Sequence, residues 1–181
     1  MRAERIEMAG ADNMSLIAGV QQRQLPAFEQ LYLRYHVRVA HFLRRFTGCH
    51  ETIEEIINDS FMVVWAGAKN FRSRSQVSTW VFGIAYRTAL KALRRRRNVC
   101  YLSELSDDHE FSTDPTADTE RKDWLDYALG RLSVDQRVAL TLAYQQGFSM
   151  YEIADITASP VGTVKSRMFL ARAKIRETID R

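Results

Sequence analysis

FSMYEIADITASPVGTVKSRMFLARAKIR, residues Phe148 to Arg176, reads as two helices joined by a tight turn. Ser149 followed three residues later by Glu152 makes a capping box, in which each side chain satisfies an amide at the helix start. Gly147, just before it, closes the preceding helix. Ile153, Ala154 and Ile156 face inward, and small Ala154 lets another helix approach closely. Ser159 is expected to cap a second helix, with Pro160 pre-setting its first turn. The outline is a helix-turn-helix.

At 100° per residue the second helix has distinct faces. Val164, Met168, Ala171 and Ile175 form a buried stripe. Opposite lie Gly162, Thr163, Ser166, Phe169, Leu170 and Ala173, flanked by Lys165 and Arg172 on one edge and Arg167 and Lys174 on the other. Small and polar groups at the centre with cations at both edges suit a helix in a DNA major groove, where the centre meets base edges and the flanks hold phosphates. The same spacing also fits an ordinary amphipathic helix with a solvated basic face.

Upstream, Ser133 with Gln136 forms a second capping box before a helix over Val138 to Gln146, and Trp124, Leu125, Ala128, Leu129 and Leu132 make another apolar helix face. Before these, from Asn98 to Asp123, acidic residues outnumber basic ones: Glu104, Asp107, Asp108, Glu110, Asp114, Asp118, Glu120 and Asp123 stand against only Arg121 and Lys122. With Pro115 and little apolar content, this reads as a flexible acidic linker between two helical domains.

The first domain follows the same logic. Asp12 and Asn13 cap a short helix through Val20. Pro26 starts a long core helix marked by Phe28, Leu31, Tyr32, Tyr35, Val39, Phe42, Leu43 and Phe46, whose outer face carries Arg34, Arg38, His41 and Arg45 and is read as charged and solvated. From about Glu51 to Ala66, Ile53, Ile56, Ile57, Phe61, Val64 and Trp65 bury one side while Glu51, Glu55, Asp59 and Met62 line another. An acidic face around an exposed Met repels DNA, so its fitting partner is a basic protein surface; the same pattern also fits a helix face that simply meets water. Phe71 to Thr79 reads as a loop. The helix from Trp80 to about Arg97 then buries Val81, Ala85, Ala89 and Leu93 and ends in four arginines, Arg94 to Arg97. Aromatic groups interleaved with cations suit single-stranded nucleic acid, whose unstacked bases need platforms and whose phosphates need charge; a basic helix of this kind also suits an acidic protein or open water.

No convincing period-2 pattern occurs, so the fold class is all-α. The 181 residues allow one medium domain or two small ones; 46% are hydrophobic, enough for real cores, and the formal net charge is +4. No apolar run approaches the roughly 18 residues of a membrane span. The N-terminus MRAERIEMAGADN lacks a secretory h-region. A cytoplasmic protein with no membrane insertion is expected. Cys49, His50, Cys100 and His109 lack the close ligand pairs of a zinc site, so no metal or other cofactor is expected. His36, His41, His50 and His109 show no arrangement with a nucleophile, and an enzyme acting on a small-molecule substrate is not expected.

Three motifs in this order resemble those of bacterial extracytoplasmic-function (ECF) sigma factors of the RpoE-like kind, the small two-domain initiation subunits of RNA polymerase. EEIINDSFMVVW (Glu54 to Trp65) resembles the family's acidic polymerase-binding helix. STWVFGIAYRTALKALRRRR (Ser78 to Arg97) resembles its promoter-melting and −10-reading segment. YEIADITASPVGTVKSRMFLARAKIR resembles its −35-reading helix-turn-helix.

The resemblance implies an N-terminal segment (1–24), a polymerase-binding and −10-reading domain (25–97), the acidic linker (98–121) and a −35-reading domain (122–181). Glu55, Asp59 and Met62 would dock on the clamp of the largest subunit of core RNA polymerase, and the second domain on the flap of the other large subunit. Ser159, Thr163, Lys165, Ser166, Arg167, Phe169 and Arg172 would meet the −35 element of promoter DNA. Trp80, Tyr86, Arg87, Lys91 and Arg94 would serve the −10 element. It also suggests control by an anti-sigma factor. Tyr86-Arg87 stands where many members carry Arg-Asn, so no −10 base preference is carried over. The rival from another class is a stand-alone helix-turn-helix transcriptional regulator, which leaves the first-domain motifs unexplained.

Overall fold

The computed structural model describes residues 12–100 and 129–179. Its long elements are α1 (Asn13–Gln21), α2 (Leu25–Leu43), α3 (His50–Gly67) with a 3-10 turn at Ala68–Asn70, α4 (Val77–Cys100), α5 (Val134–Leu140) with a π turn at Thr141–Gln145, α6 (Met150–Thr157) and α7 (Val161–Ile179). Every regular element among the described residues is helical, so the fold is all-α. Apart from Asn98 to Cys100, which continue α4, the expected linker lies outside the described residues. So does the face made by Trp124, Leu125 and Ala128.

Local chemistry sets the element boundaries. Asp12 caps α1, its carboxylate accepting the Ser15 amide at 2.6 Å, and this hydrogen bond helps hold its pKa below the usual aspartate value. The chain then reverses through Arg23 at φ 63° and enters α2 with Pro26 in its first turn. Gly19 is required at the crossing: a Cβ there would stand 2.6 Å from that of Ala27. Gln21 donates to the carbonyls of Ala68 and Phe71 at 3.2 and 3.0 Å, and Arg23 donates to the Trp65 carbonyl at 2.7 Å while stacking on its ring. These bonds fasten α1 to the far end of α3. With Leu16, Ile17 and Val20 buried, α1 belongs to the first domain's core.

That core is aromatic and dense. Tyr32 meets Phe61 edge-on at 4.7 Å, Phe28 meets Trp65 at 5.0 Å and Phe42 meets Phe82 at 5.5 Å. Ile56 and Ile57 of α3 and Val81, Ala85 and Ala89 of α4 are buried, as their spacing predicts, and each large aliphatic side chain so buried contributes about 1.5–3 kcal/mol. The buried Ser60 hydroxyl is satisfied by the Ile56 carbonyl one turn back, at 2.6 Å.

In the second domain both capping boxes form, Ser133 with Gln136 and Ser149 with Glu152. The helix expected to continue through Gln146 instead widens into the π turn. Gly147 at φ 75° then lets the Phe148 amide donate back to the Leu142 carbonyl at 3.0 Å. The outer face of α2 also departs from expectation. Arg38 lies over the Tyr35 and Phe82 rings and bonds to Gln146, and the Arg45 carbonyl accepts from Arg137. Part of the face read as solvated is where the second domain packs.

Candidate DNA and polymerase interfaces

The helix-turn-helix is built around its own small core. Ile153 and Ile156 of α6 meet Val164, Met168 and Ala171 of α7, all buried, with Ile175 half-buried at the end of the stripe. The turn between the helices places Ala158 in the left-handed region at φ 50°, and the Ser159 amide closes it on the Ala154 carbonyl at 3.0 Å. Ser159 was expected to cap α7 with its side chain. Its hydroxyl instead donates to the Thr157 carbonyl and accepts from Arg167, bracing the turn against the middle of α7.

Thr163, Lys165, Ser166, Phe169, Leu170 and Arg172 point to solvent, with Phe169 72% exposed. Lys165, Ser166, Phe169 and Leu170 line a shallow hollow. Nothing lies within 4 Å of where a Cβ on Gly162 would stand, so the start of this face is open to close approach. Arg167 differs from these residues. It is half-buried, ion-paired with Asp135 and bonded to Ser159 at 3.0 Å. Arg172 lies over the Tyr144 ring at 5.6 Å. The face is thus an exposed aromatic ring among donors and cations, with Arg167 fixed at its edge.

On α4, Arg87, Lys91 and Arg94 are exposed along one side. Trp80 is half-buried against Phe71 at 5.1 Å. Tyr86 is only 7% exposed, its ring near that of Phe46. Burial pushes its phenol pKa up; the Asp135 carboxylate adds to the rise, and Arg167 and Arg94 oppose it. Tyr86 and Arg167, expected to serve different promoter elements, therefore lie within electrostatic reach of each other.

Glu55, Asp59 and Met62 are all exposed on α3, Met62 at 63%. Exposed Val63 widens the apolar spot. Glu54, on the edge of this face, is 3.3 Å from the His36 imidazole. Sequence periodicity found this face but missed Val63, which sits off the acidic register. It also missed the exposed pair Leu33 and Val37 on α2. Among the described residues no group of three or more His, Cys, Asp or Glu side chains is arranged to hold a metal ion. No helix among them is long and apolar enough to cross a membrane.

An acidic, Met-centred helix face and a basic helix-turn-helix on one all-helical chain define a protein that contacts both DNA and another protein. Comparison with known proteins identifies the family. The Sigma-70 region 2 model matches residues 31–99 and the Sigma-70, region 4 model matches residues 122–175. The chain is 33% identical to the ECF RNA polymerase sigma-E factor of Haemophilus influenzae, over 93% of this chain and 95% of that one. It is 33% identical to ECF RNA polymerase sigma factor SigM of Mycobacterium tuberculosis strain Erdman, over 90% and 82%. Among solved structures it resembles the sigma factor RpoE of Bartonella quintana in complex with the anti-sigma factor NepR (TM-score 0.71, 26% identity, 84% of this chain and 96% of that one). It also shares the fold of CnrH, solved with the cytosolic domain of CnrY (TM-score 0.68, 23% identity, 91% and 95%).

The chain belongs to the ECF sigma factors of RNA polymerase. It is a transcription initiation factor that binds RNA polymerase and promoter DNA, and not an enzyme. The region 2 match over 31–99 covers the motifs that a stand-alone helix-turn-helix regulator leaves unexplained.

Proposed function

We propose the following division of labour among the faces of this sigma factor. Glu55, Asp59 and Met62 dock on the clamp of the largest subunit of core polymerase, and the second domain sits on the flap of the other large subunit. Thr163, Lys165, Ser166, Phe169 and Arg172 meet the −35 element, with Arg167 and Ser159 holding the turn that aims them. Arg87, Lys91 and Arg94 hold the backbone near −10 while Trp80 and Tyr86 serve the unpaired bases. Taking a base out of its stack costs a few kcal/mol, which contacts with the extruded base offset. The domains divide at 25–97 and 122–181, joined by the acidic segment 98–121, and the segment 1–24 supplies α1 to the first domain.

One observation carries the division: the exposed hydrophobic side chain Met62 stands among carboxylates on α3, and exposed Phe169 stands among cations on α7. DNA repels the first setting and attracts the second. The protein works in the cytoplasm, where polymerase and DNA are. It is held there by an anti-sigma factor, a reading supported by the inhibitor-bound sigma factors that it resembles.

The test is transcription by core polymerase on a genomic fragment library with and without the protein, mapping RNA 5′ ends. New starts sharing elements near −35 and −10 are expected. Asp59→Arg should strongly weaken polymerase association, whereas Lys165→Ala should keep association and weaken −35-dependent starts. Loss of DNA binding alone by both variants would overturn the role given to α3.

A further inference from the structure

Helix α7 carries two arginines at the edges of its exposed face, and residues outside the helix-turn-helix hold them in different ways. Arg172 lies over the Tyr144 ring at 5.6 Å, a contact that leaves its charge uncancelled. Arg167 is paired with a carboxylate: its Nη2 donates to Oδ2 of Asp135, 32 residues earlier in the chain. Its Nη1 donates to the Ser159 hydroxyl at 3.0 Å, and that hydroxyl donates in turn to the Thr157 carbonyl at 3.3 Å. Asp135, Arg167, Ser159 and Thr157 thus form one chain of hydrogen bonds joining α5, α7 and the turn that leads into α7. Asp135 sits in the first turn of α5, inside the capping box made by Ser133 and Gln136. Open amides at a helix start favour a carboxylate there, so the chain of bonds is anchored on a capped helix end.

Stability does not account for the pair. The side chains of Arg167 and Asp135 are 24% and 47% exposed, and ion pairs this open to solvent add little to folding. Its consequences are charge and direction. A guanidinium presents its N–H donors in a rigid fork, so bonds to Asp135 and Ser159 together fix its plane. The Asp135 carboxylate also offsets the charge that would draw Arg167 to a phosphate. Arg167 follows exposed Thr163 by one turn and exposed Ser166 by one residue, so a released guanidinium would stand beside the backbone of DNA lying on this face. Phosphate contacts strengthen binding to every sequence alike, whereas discrimination needs the base-facing groups held in one register.

We propose that Asp135 is a specificity-determining positioning residue for −35 recognition. By pairing with Arg167 it withholds that cation from phosphates and locks it on Ser159, so that the turn delivers α7 at one angle. Arg172, whose charge the Tyr144 ring leaves intact, keeps the phosphate role. The proposal rests on the assignment of α7 to −35.

The test uses core polymerase assembled with the full chain, on a promoter recovered by mapping RNA 5′ ends and on the same fragment with its −35 element scrambled. Asp135→Asn removes the negative charge and keeps the side-chain shape. It is expected to lower the affinity ratio between the two fragments about threefold to tenfold, the scale of coupling between residues in contact. On the scrambled fragment it should steepen the slope of log affinity against log salt by about one, as for one added phosphate contact. Asp135→Glu, which keeps the carboxylate, should retain most of the ratio. In an Arg167→Ala background, Asp135→Asn should change neither quantity.

A ratio and slope unchanged by Asp135→Asn, with only the thermal midpoint lowered, would overturn the proposal. So would an effect that persists in the Arg167→Ala chain, which would route it through another neighbour such as Tyr86, whose phenol also senses the Asp135 carboxylate. Equal affinity of the unaltered protein for the two fragments would instead overturn the −35 assignment, and the proposal with it. Circular dichroism of each variant separates loss of the brace from loss of fold.

Discussion

Helices α3 and α7 are built on one plan and carry opposite charge on their exposed faces. Each buries one stripe, Ile53, Ile56, Ile57 and Val64 in α3 and Val164, Met168 and Ala171 in α7. Each leaves a large hydrophobic side chain in water on the other side. Around Met62 stand Glu55 and Asp59; around Phe169 stand Lys165 and Arg172. The buried stripe sets where the helix packs, and the charges on the opposite face select the partner. On the proposed function, the same apolar contact is thereby directed to a basic protein surface in one case and to DNA in the other.

The comparison breaks most visibly by inverting a charge. Asp59→Arg places a cation against a basic partner, where like charges cost several kcal/mol, and is expected to weaken polymerase binding by on the order of 100-fold. Fluorescence anisotropy with core polymerase measures it, and near-native affinity would remove α3 from the interface. The buried stripes should behave alike where the faces do not. Ile57→Ala under α3 and Met168→Ala under α7 are each expected to cost about 2–5 kcal/mol in denaturant unfolding.

Lys165→Ala should lower promoter binding by the polymerase holoenzyme about equally for all −35 sequences and reduce the slope of log affinity against log salt by about one, as for a phosphate contact. A sequence-selective loss would instead assign Lys165 to a base edge. Removing the start of the helix-turn-helix is gentler. Ser149→Ala is expected to lose about 1 kcal/mol of second-domain stability by thermal denaturation, because the Glu152 amide loses its acceptor.

The smallest effect is one of pH. Glu152 has a lowered pKa in the fold, so the stability it adds is present above its unfolded value and lost as pH falls through the lowered folded value. The difference in thermal midpoint between the native chain and Glu152→Gln should therefore shrink on acidification below the usual glutamate value of 4.5. A difference that grew with acid would reverse the sign assigned to Glu152.

Where the sequence was legible, the signals were local. The Ser149–Glu152 and Ser133–Gln136 boxes, the turn glycine Gly147 and the stripe from Val164 to Ala171 lie within a few turns of one another, so spacing alone exposes them. Where it was not, the deciding partner was far along the chain. Arg38 sits at helical intervals with Arg34, His41 and Arg45 and reads as solvated, yet its partner Gln146 is 108 residues away. Tyr86 falls among exposed cations in sequence and is buried in the fold for the same reason. The π turn at Thr141–Gln145 left no local mark either, because Gly147 explains a helix end equally well without it.

By itself the sequence determined that this chain is helical, where most of its helices start, which side of each is buried, and that one exposed face is acidic and another basic. Those properties follow from caps and periodicity, which act over three or four residues. Only the tertiary structure decided that α1 joins the first domain's core, that Arg167 and Ser159 brace a turn, and that the two domains meet at Phe82 and Phe148. Such contacts arise from shape and desolvation between surfaces distant in the chain, and no spacing rule reaches across that distance.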